Sequence, residues 1–243
     1  SQPLIPLSLF GDRTFVATNG AAFCSAFVLF AAITYVPLFL QSVRGGAGAA
    51  ALAVFPISIG WSGTAIVSGR VVHRVGERRL VLAGSALLVA SFGVAAAVWT
   101  VATPTWLLVG NVLCMGVGMG ALTPPLLTAI QNHLGAERMG LATSSQQFFR
   151  NIGGTVGVAL LGFAMNLTLR DQLASVPGVA TIGDLQRELL GSGGAPPGVA
   201  EVLVVGLTTV FAASVVVSLA ALAFAIGVPV HSSGGGEPAP GDD

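Results

Sequence analysis

The sequence predicts an all-α membrane protein that folds as a six-helix transmembrane bundle. Of its 243 residues, 53% are hydrophobic and only 8% are charged, whereas a soluble globular domain carries roughly 25% charged residues. Six apolar stretches are each long enough to cross a membrane as a helix, which takes about 20 residues. They are rich in Ala, Leu and Val and lack the alternation of a membrane β-strand. The apolar surface is therefore expected to face lipid.

The six predicted helices follow one another with short connections, and one connection is long. The predicted spans are 15–40, 48–70, 80–101, 105–130, 144–168 and 201–228. The short links are 44–47, 73–79, 102–104 and 132–140. In the long connection, 170–200, we expect a short surface helix over 182–190 and a Gly/Pro/Ser hinge over 191–198.

These elements divide the chain into three parts. Residues 1–14 are a cytoplasmic lead-in segment, 15–230 form the transmembrane domain, and 231–243 form a tail that has nothing to bury and is expected to be disordered. The first residue is serine, and no signal-peptide pattern precedes the first span. We therefore expect the chain to be cut from a longer protein.

The distribution of arginine predicts the orientation in the membrane. All ten basic residues are arginine, and basic residues favour the cytoplasmic side. With the N-terminus inside, three arginines lie outside: Arg44, Arg170 and Arg187. Six lie inside: Arg13, Arg70, Arg74, Arg78, Arg79 and Arg138. Both termini are therefore predicted to be cytoplasmic.

Several function classes find no support in the sequence. Nucleic-acid binding would need a dense basic surface, and the formal net charge is zero. Cys24 and Cys114 lie in apolar stretches without Cys or His at metal-ligand spacing. Paired carboxylates, a nucleophile–base arrangement and a phosphate loop are also missing from the sequence. We expect no enzyme, no metal and no cofactor.

The acidic residues also bear on mechanism. All of them fall outside the predicted spans, apart from Glu201 at the start of the last one. A proton-coupled transporter usually carries a carboxylate at membrane depth. Proton-coupling groups are therefore not expected in this chain.

The fifth predicted span carries a polar stripe. Thr143, Gln147, Arg150 and Gly154 fall on one helical face, and Gln146 lies one turn before Arg150. A polar stripe in a membrane helix must face protein or water, because lipid cannot satisfy it. The alternative is that the helix begins near Gln146 and that Arg150 reaches the interface with its long side chain.

The first span carries an aromatic face. Phe23, Phe27 and Phe30 recur at helical spacing, with Thr34 on the same face. Such a face is suited to flat lipophilic cations or neutral drugs through stacking and cation–π contacts, and the alternative is lipid contact or helix packing. The lone amides Asn19 and Asn111 are interpreted as interhelical hydrogen-bonding groups or as substrate contacts.

The fourth span is rich in residues that shape a helix. Gly116 and Gly120 form a GxxxG pair, which lets a neighbouring backbone approach closely. Pro124 and Pro125 remove two backbone donors and predict a kink. A flexing helix suits alternating access, whereas the glycines alone are also typical of plain packing.

The segment 69–79, GRVVHRVGERR, is the most diagnostic motif. It resembles the loop between the second and third helices of each half of major facilitator superfamily transporters, and Gly69, Arg74, Gly76 and Arg78 match. His73 stands where that family usually has Asp, and Glu77 where it usually has a basic residue. The resemblance implies a cytoplasmic latch between the two halves, and the alternative is a plain positive anchor.

Four further segments, 6–15, 35–45, 137–142 and 150–162, look like the second half of the drug:proton antiporter-2 family of fourteen-helix multidrug exporters. The resemblance implies the C-terminal half of a major facilitator fold in a bacterial inner membrane. It implies export of lipophilic drugs or secondary metabolites in exchange for protons. The bilayer, the substrate, protons and an N-terminal half are the implied partners. The alternative is a non-transporting membrane remnant or interaction subunit that needs a separate N-terminal half.

Overall fold

The computed structural model describes residues 7–44, 47–173 and 199–228, and these ranges contain six long helices and no strand. The helices are α1 (Arg13–Arg44), α2 (Ala47–Val75), α3 (Glu77–Val98), α4 (Thr105–Leu134), α5 (Met139–Leu173) and α6 (Val199–Ile226). Short 3-10 helices, Leu7–Gly11 and Ala136–Arg138, precede α1 and α5. The predicted surface helix 182–190, the hinge 191–198 and the tail 231–243 lie outside the described residues.

The all-α membrane fold class is confirmed. Within the described ranges, five helices are long and apolar enough to cross a membrane: α1, α3, α4, α5 and α6. The main differences from the predicted spans are at the ends, since α2 continues to Val75 and α5 begins at Met139. The predicted spans stop short of these ends because the end residues are arginine or polar. A helix end outside the apolar stretch does not raise the hydropathy and is therefore not predicted from it.

The helices are arranged as two equivalent groups of three. The groups are α1–α3 and α4–α6. The first helix of each group packs on the second and third helices of the other, since α1 packs against α5 and α6 and α4 packs against α2 and α3. The helices α1 and α4 also touch each other, as do α3 and α6, so the contact pattern stays the same when the two groups are exchanged.

The α2–α4 contact is a parallel crossing at van der Waals distance between backbones. A Cβ atom on Gly116 would overlap the carbonyl oxygen of Ile57, and one on Gly120 would overlap that of Trp61. From the other side, a Cβ on Gly60 would lie 2.6 Å from the carbonyl oxygen of Leu113. The GxxxG pair therefore packs against α2, as small residues do in membrane helix pairs.

A proline strengthens the same crossing. Pro124 has no N–H, so the carbonyl of Gly120 loses the donor that a helix normally supplies four residues later. The hydroxyl of Ser68 on α2 donates to this carbonyl at 2.8 Å. The helix α4 runs without interruption through Pro124 and Pro125, and the predicted kink stays a prediction.

The α1–α5 contact repeats the parallel crossing with the glycines on α5. A Cβ on Gly153 would overlap the carbonyl oxygen of Phe23, and one on Gly157 would lie 2.6 Å from that of Phe27. Further along, the hydroxyl of Tyr35 donates to the carbonyl of Val158 at 2.9 Å. Each of the two crossings thus combines close backbone contact with one side-chain hydrogen bond to a carbonyl.

An aromatic cluster and a threonine cap define the end of the bundle where α3 stops. Trp99 packs between Phe39 of α1 and Phe211 of α6, with ring centroids 4.9 and 5.0 Å away. Thr103 then closes the turn to α4, because its hydroxyl donates to the carbonyl of Val98 at 2.7 Å. The same hydroxyl accepts the backbone N–H of Thr100 at 2.8 Å.

At the opposite end, Asp12 joins α1 to α4. One carboxylate oxygen of Asp12 accepts the backbone N–H of Thr14 at 2.8 Å and thereby caps α1. The other oxygen accepts a hydrogen bond from Nε2 of His133, in the last turn of α4. Partial burial alone would raise the pKa of Asp12, but these hydrogen bonds and the His133 charge outweigh it and lower the pKa below 3.8.

We predict that Gly116→Ala lowers the free energy of unfolding by about 1–3 kcal/mol, because the added methyl group forces α4 away from α2. Gly110→Ala, on the same helix, is the matched control, since a Cβ there has no neighbour within 4 Å. Unfolding in mixed micelles, followed by circular dichroism, measures both variants. Equal stability of the two variants would show that the close crossing is absent.

We also predict a pH-dependent contribution from Asp12. Because its folded-state pKa is lowered, its stabilisation is present above the ordinary pKa of 3.8 and is lost as pH falls through the folded value. Asp12→Ala should cost about 1 kcal/mol at pH 6 through the lost cap. Asp12→Asn keeps a capping oxygen, so its deficit relative to wild type should shrink below pH 3.8 in unfolding titrations. A deficit that stays constant in acid would contradict this assignment.

Candidate functional site

The exposed face of α5 carries the polar stripe, with a register that differs from the predicted one. Ser144, Gln147, Asn151 and Thr155 are exposed and repeat at helical spacing. Gly154, which was predicted to share the stripe, is buried, because a Cβ there would lie 2.7 Å from the ring of Phe30. The predicted membership of Gly154 is therefore wrong.

Hydrogen bonds order this stripe along its own helix. The amide of Gln147 donates from Nε2 to Oδ1 of Asn151 at 3.1 Å, and the hydroxyl of Thr155 donates to the carbonyl of Asn151 at 3.0 Å. Near the start of α5, Thr143 accepts a hydrogen bond from Nε2 of Gln131 on α4 at 3.1 Å. The stripe is thus a fixed polar surface on a helix that is apolar enough to span a membrane.

Arg150 lies beside the stripe and reaches across to α2. Its guanidinium carbon is 5.6 Å from the centroid of the Trp61 ring, which is the geometry of a cation–π contact. Among the described residues, Arg150 forms no salt bridge. The carboxylates whose side chains the structure describes belong to Asp12, Glu77 and Glu137, and each lies near a helix end. An aromatic face, not an acid, is therefore the protein group opposite this charge.

The start of α5 differs from the one assumed in the alternative interpretation of Arg150. The helix begins at Met139, seven residues before Gln146, whereas that alternative has it begin near Gln146; whether Arg150 reaches the interface stays a prediction. Arg150 is eleven residues into the helix, or about 17 Å along its axis at 1.5 Å per residue. The guanidinium is half-buried over Trp61.

The aromatic residues of α1 are divided between different surroundings. Phe27 is buried and sits against Gly157 of α5. Phe23 is half-buried and belongs to the α1–α5 crossing through its backbone. Phe30 is 40% exposed and covers Gly154. Helix packing therefore explains much of this face, and Phe30 remains the member with the most exposed ring.

The two predicted amides are also separated. Gln146 is buried in the first third of α5, and Asn111 is buried in the first third of α4. Since α4 and α5 are antiparallel neighbours in sequence, the two lie roughly 25 Å apart along the bundle at 1.5 Å per residue. The structure does not bring Asn111 together with Gln146, Gln147 and Arg150.

The predicted loop 73–79 is not a loop. The helix α2 extends to Val75, α3 begins at Glu77, and Gly76 alone connects them. Gly76 has a φ of 90°, a conformation that favours glycine, so one residue suffices for the reversal. The other motif residues are placed on the helix ends: Gly69 and Arg74 are exposed, and Arg78 is half-buried.

Glu77, one of the two residues that differ from the family motif, has a structural role. Its side chain is buried, and Oε1 accepts a hydrogen bond from Nδ2 of Asn132 at 2.7 Å. As the first residue of α3, its carboxylate also lies at the positive end of the helix dipole. Glu77 thus fastens the α2–α3 corner to the end of α4.

Four members of this surface were not predicted from the sequence: Ser144, Asn151, Thr155 and Trp61. Asn151 and Thr155 follow Gln147 at intervals of four residues, so helical spacing alone could have placed them on the same face as Gln147. The prediction placed Arg150 and Gly154 on that face instead. Nothing in the sequence indicates the contact between Trp61 and Arg150, because it depends on how α2 and α5 pack around α1 and α4.

Known proteins match this chain over most of its length. Residues 1–158 match the profile of the Major Facilitator Superfamily. The multidrug transporter protein MdtP of Bacillus subtilis is 34% identical over 168 residues, which cover 68% of this chain and 30% of that protein. A tetracycline resistance determinant of Streptomyces rimosus is 28% identical over 177 residues, 72% of this chain and 51% of that protein. A methylenomycin A resistance protein of Streptomyces coelicolor is 28% identical over 169 residues, 69% of this chain and 35% of that protein.

The chain thus spans between 30% and 51% of the length of these relatives. The family profile covers well over half of the chain, and the helices have the length and apolarity of membrane spans. The chain is a multi-pass membrane protein and belongs to the Major Facilitator Superfamily.

Proposed function

We propose that this chain is the C-terminal half of a secondary transporter that exports lipophilic drugs or secondary metabolites in exchange for protons. The observation that carries the proposal is the exposed polar stripe of α5 beside the Arg150–Trp61 pair. Polar groups on a membrane helix are tolerated only where they face protein or water. A water-filled path between this chain and an N-terminal half would place both water and protein next to the stripe.

The relatives support a drug as the substrate. Two are named for resistance to an antibiotic, tetracycline or methylenomycin A, and a third is named a multidrug transporter. We assign the exposed or half-buried residues to the wall of the substrate path, namely Phe23, Phe30, Gln147 and Arg150, and the buried residues Phe27, Asn111 and Gln146 to the packing behind that wall. Phe30 offers an exposed ring and Gln147 an exposed amide, so an aromatic compound with a polar group finds both kinds of contact.

The positions of the charges suggest which half of the proposed transporter couples protons. A fixed positive charge stands at Arg150, whereas the described carboxylates lie near helix ends. Proton coupling at membrane depth needs a group that gains and loses a proton there. We assign that group to the N-terminal half, together with the opposite wall of the path.

The proposed location is the bacterial inner membrane with both termini cytoplasmic. Each of the six described helices has one end on the same side of the bundle, where the Asp12–His133 hydrogen bond joins α1 to α4 and the Glu77–Asn132 hydrogen bond joins α3 to α4. Six arginines belong to these ends: Arg13, Arg70, Arg74, Arg78, Arg79 and Arg138. The positive-inside rule then assigns this side to the cytoplasm, where Gly69, Arg74, Gly76 and Arg78 form the proposed latch.

A second candidate is a non-transporting subunit or remnant that needs a separate N-terminal half. It is favoured by the coverage of only 30–51% of the relatives. It differs from the first candidate in one measurable respect, which is whether transport occurs once a second half is present.

We predict that the 243-residue chain alone, reconstituted in vesicles with an imposed pH gradient, moves no fluorescent lipophilic cation. The reason is that its described carboxylates lie near helix ends, away from membrane depth. MdtP of Bacillus subtilis, reconstituted in parallel, is the positive control, and the complete reading frame that encodes this chain should transport the dye. Gradient-driven dye movement by the chain alone would refute the assignment of coupling to the other half.

Arg150 gives a second prediction, made in the complete transporter. Arg150→Ala should lower the efflux rate at least about tenfold at normal protein levels, since it removes the only charge beside the stripe that the described structure shows. Arg150→Lys should restore part of the rate, because lysine lacks the planar guanidinium that stacks on an aromatic ring. Trp61→Phe should cost less than Trp61→Leu, since only leucine removes the cation–π contact.

The matched control is Arg138→Ala, an exposed arginine before α5, which should leave efflux near normal. Cellular dye efflux, normalised to membrane-inserted protein, measures all variants. Full efflux by Arg150→Ala would leave Arg150 as a structural residue and remove it from the path.

A further inference from the structure

A groove lies between the start of α1 and the end of α6, and it is made of two adjoining cavities. The inner cavity, of about 320 Å³, is lined by five phenyl rings: Phe10, Phe15, Phe23, Phe149 and Phe224. The outer cavity, of about 340 Å³, includes Asp12, Arg13, Ala223 and Gly227. Phe10, Val16 and Phe224 line both cavities. The α1–α6 groove therefore has an apolar interior and a charged mouth.

The interior offers a ligand apolar contacts and no hydrogen bond. Its wall is almost entirely apolar. Asn19 belongs to this wall, but its Nδ2 donates to the carbonyl of Phe15 at 3.0 Å, and its Oδ1 is buried inside the protein. A hydrocarbon group is therefore the kind of group that the interior accepts at no cost in unsatisfied polar groups.

The groove runs from the membrane boundary into the depth of the hydrocarbon. The spanning part of α1 begins at Arg13, and that of α6 ends at Ile226. Both ends lie at the mouth of the groove. Phe23, at the inner end, is ten residues further along α1, or about 15 Å along the helix axis. A phospholipid has the same arrangement, with its charged group at the boundary and its acyl chains below it.

The edge of the groove is open to the surface. Val16 of α1 is 38% exposed, and Ala223 of α6 is exposed as well. The helix α6 has a mean hydropathy of 2.4, the highest among the five described spans. A surface of this kind is typical of contact with lipid, so an acyl chain can enter the groove sideways from the bilayer.

Arg13 is the charged group that the mouth offers to a ligand. Its side chain is exposed and forms no salt bridge with the residues that the structure describes. Asp12 also lies in the mouth, but one of its carboxylate oxygens accepts the backbone N–H of Thr14 and the other accepts a hydrogen bond from His133. An arginine at the membrane boundary attracts anionic lipid headgroups.

We propose that the α1–α6 groove binds one anionic phospholipid, with its phosphate at Arg13 and one acyl chain in the inner cavity. A small free anion would use Arg13 but leave the cavity empty, and a lipid without net charge would fill the cavity but make less use of Arg13. The groove adjoins the proposed substrate path at Phe23, yet lipid binding does not depend on transport and can be measured without it.

Two lipids with the same oleoyl chains test the charge preference. The purified chain in detergent is titrated with dioleoyl phosphatidylglycerol, which is anionic, or with dioleoyl phosphatidylcholine, which has no net charge. Native mass spectrometry gives the affinity of the first lipid bound. Phosphatidylglycerol should bind about fivefold more tightly, as expected for one basic residue close to an anionic headgroup.

A substitution of Arg13 tests where the headgroup lies. Arg13→Gln should abolish the preference for phosphatidylglycerol and leave the affinity for phosphatidylcholine unchanged. Arg79→Gln is the matched control, because Arg79 is also an exposed arginine near the start of a helix but does not line the groove. This control should keep the full preference.

A substitution of Val16 tests where the acyl chain lies. Val16→Trp should fill the groove and weaken both lipids at least about tenfold, since lost contacts of roughly two methylene groups already have this effect. Val94→Trp is the matched control, because Val94 is 37% exposed on the spanning helix α3 and does not line the groove. It should bind both lipids normally.

Three results would overturn the proposal. Equal affinity of the two lipids for the wild-type chain, or an unchanged preference in Arg13→Gln, would remove the headgroup from Arg13. Full binding by Val16→Trp would remove the acyl chain from the groove. Displacement of phosphatidylglycerol by glycerol phosphate at equal concentration would identify a site for a free anion. All four substituted residues are exposed, so the variants are expected to fold.

Discussion

Two backbone-to-backbone crossings, α4 on α2 and α5 on α1, determine the positions of all other groups in this bundle. At Gly120 the approach is so close that a methyl group would overlap the carbonyl of Trp61, which sets the height of that residue. At Gly153 the same restriction fixes α5 on α1, and Arg150 lies one turn earlier. The contact between Arg150 and Trp61 is therefore a consequence of both crossings, although only the backbone carbonyl of Trp61 takes part in one of them.

Glycine serves at these crossings because lipid does not drive helices together as water does. Association in a membrane depends on close packing and on interhelical hydrogen bonds. Ser68 and Tyr35 supply such bonds, each to a backbone carbonyl of the opposite helix. The Ser68 bond exists because Pro124 leaves the Gly120 carbonyl without its usual donor. Inverted repeats of three helices, which are typical of this superfamily, agree with the two equivalent groups observed here.

The sequence predicted the helices well, because length and apolarity are local properties. The register of the α5 stripe was less predictable. The helical period shows which residues share a face, but the exposed face depends on a partner more than a hundred residues away, as Phe30 covers Gly154 and leaves Thr155 exposed. The one-residue link at Gly76 was missed for another reason. Its positive φ is a property of the backbone that hydropathy does not report.

In the proposed transporter, the charges of the described helices are better suited to orienting a substrate than to coupling protons. Arginine keeps its charge throughout the physiological pH range, so Arg150 supplies a constant field and cannot itself carry a proton across. Its contact with Trp61 offsets part of the cost of holding that charge away from water. The carboxylates of Asp12 and Glu77 accept hydrogen bonds from His133 and Asn132, and these two bonds join helix ends. They stabilise the frame on which the polar face of α5 is held, which agrees with the proposal that the coupling acid belongs to the other half.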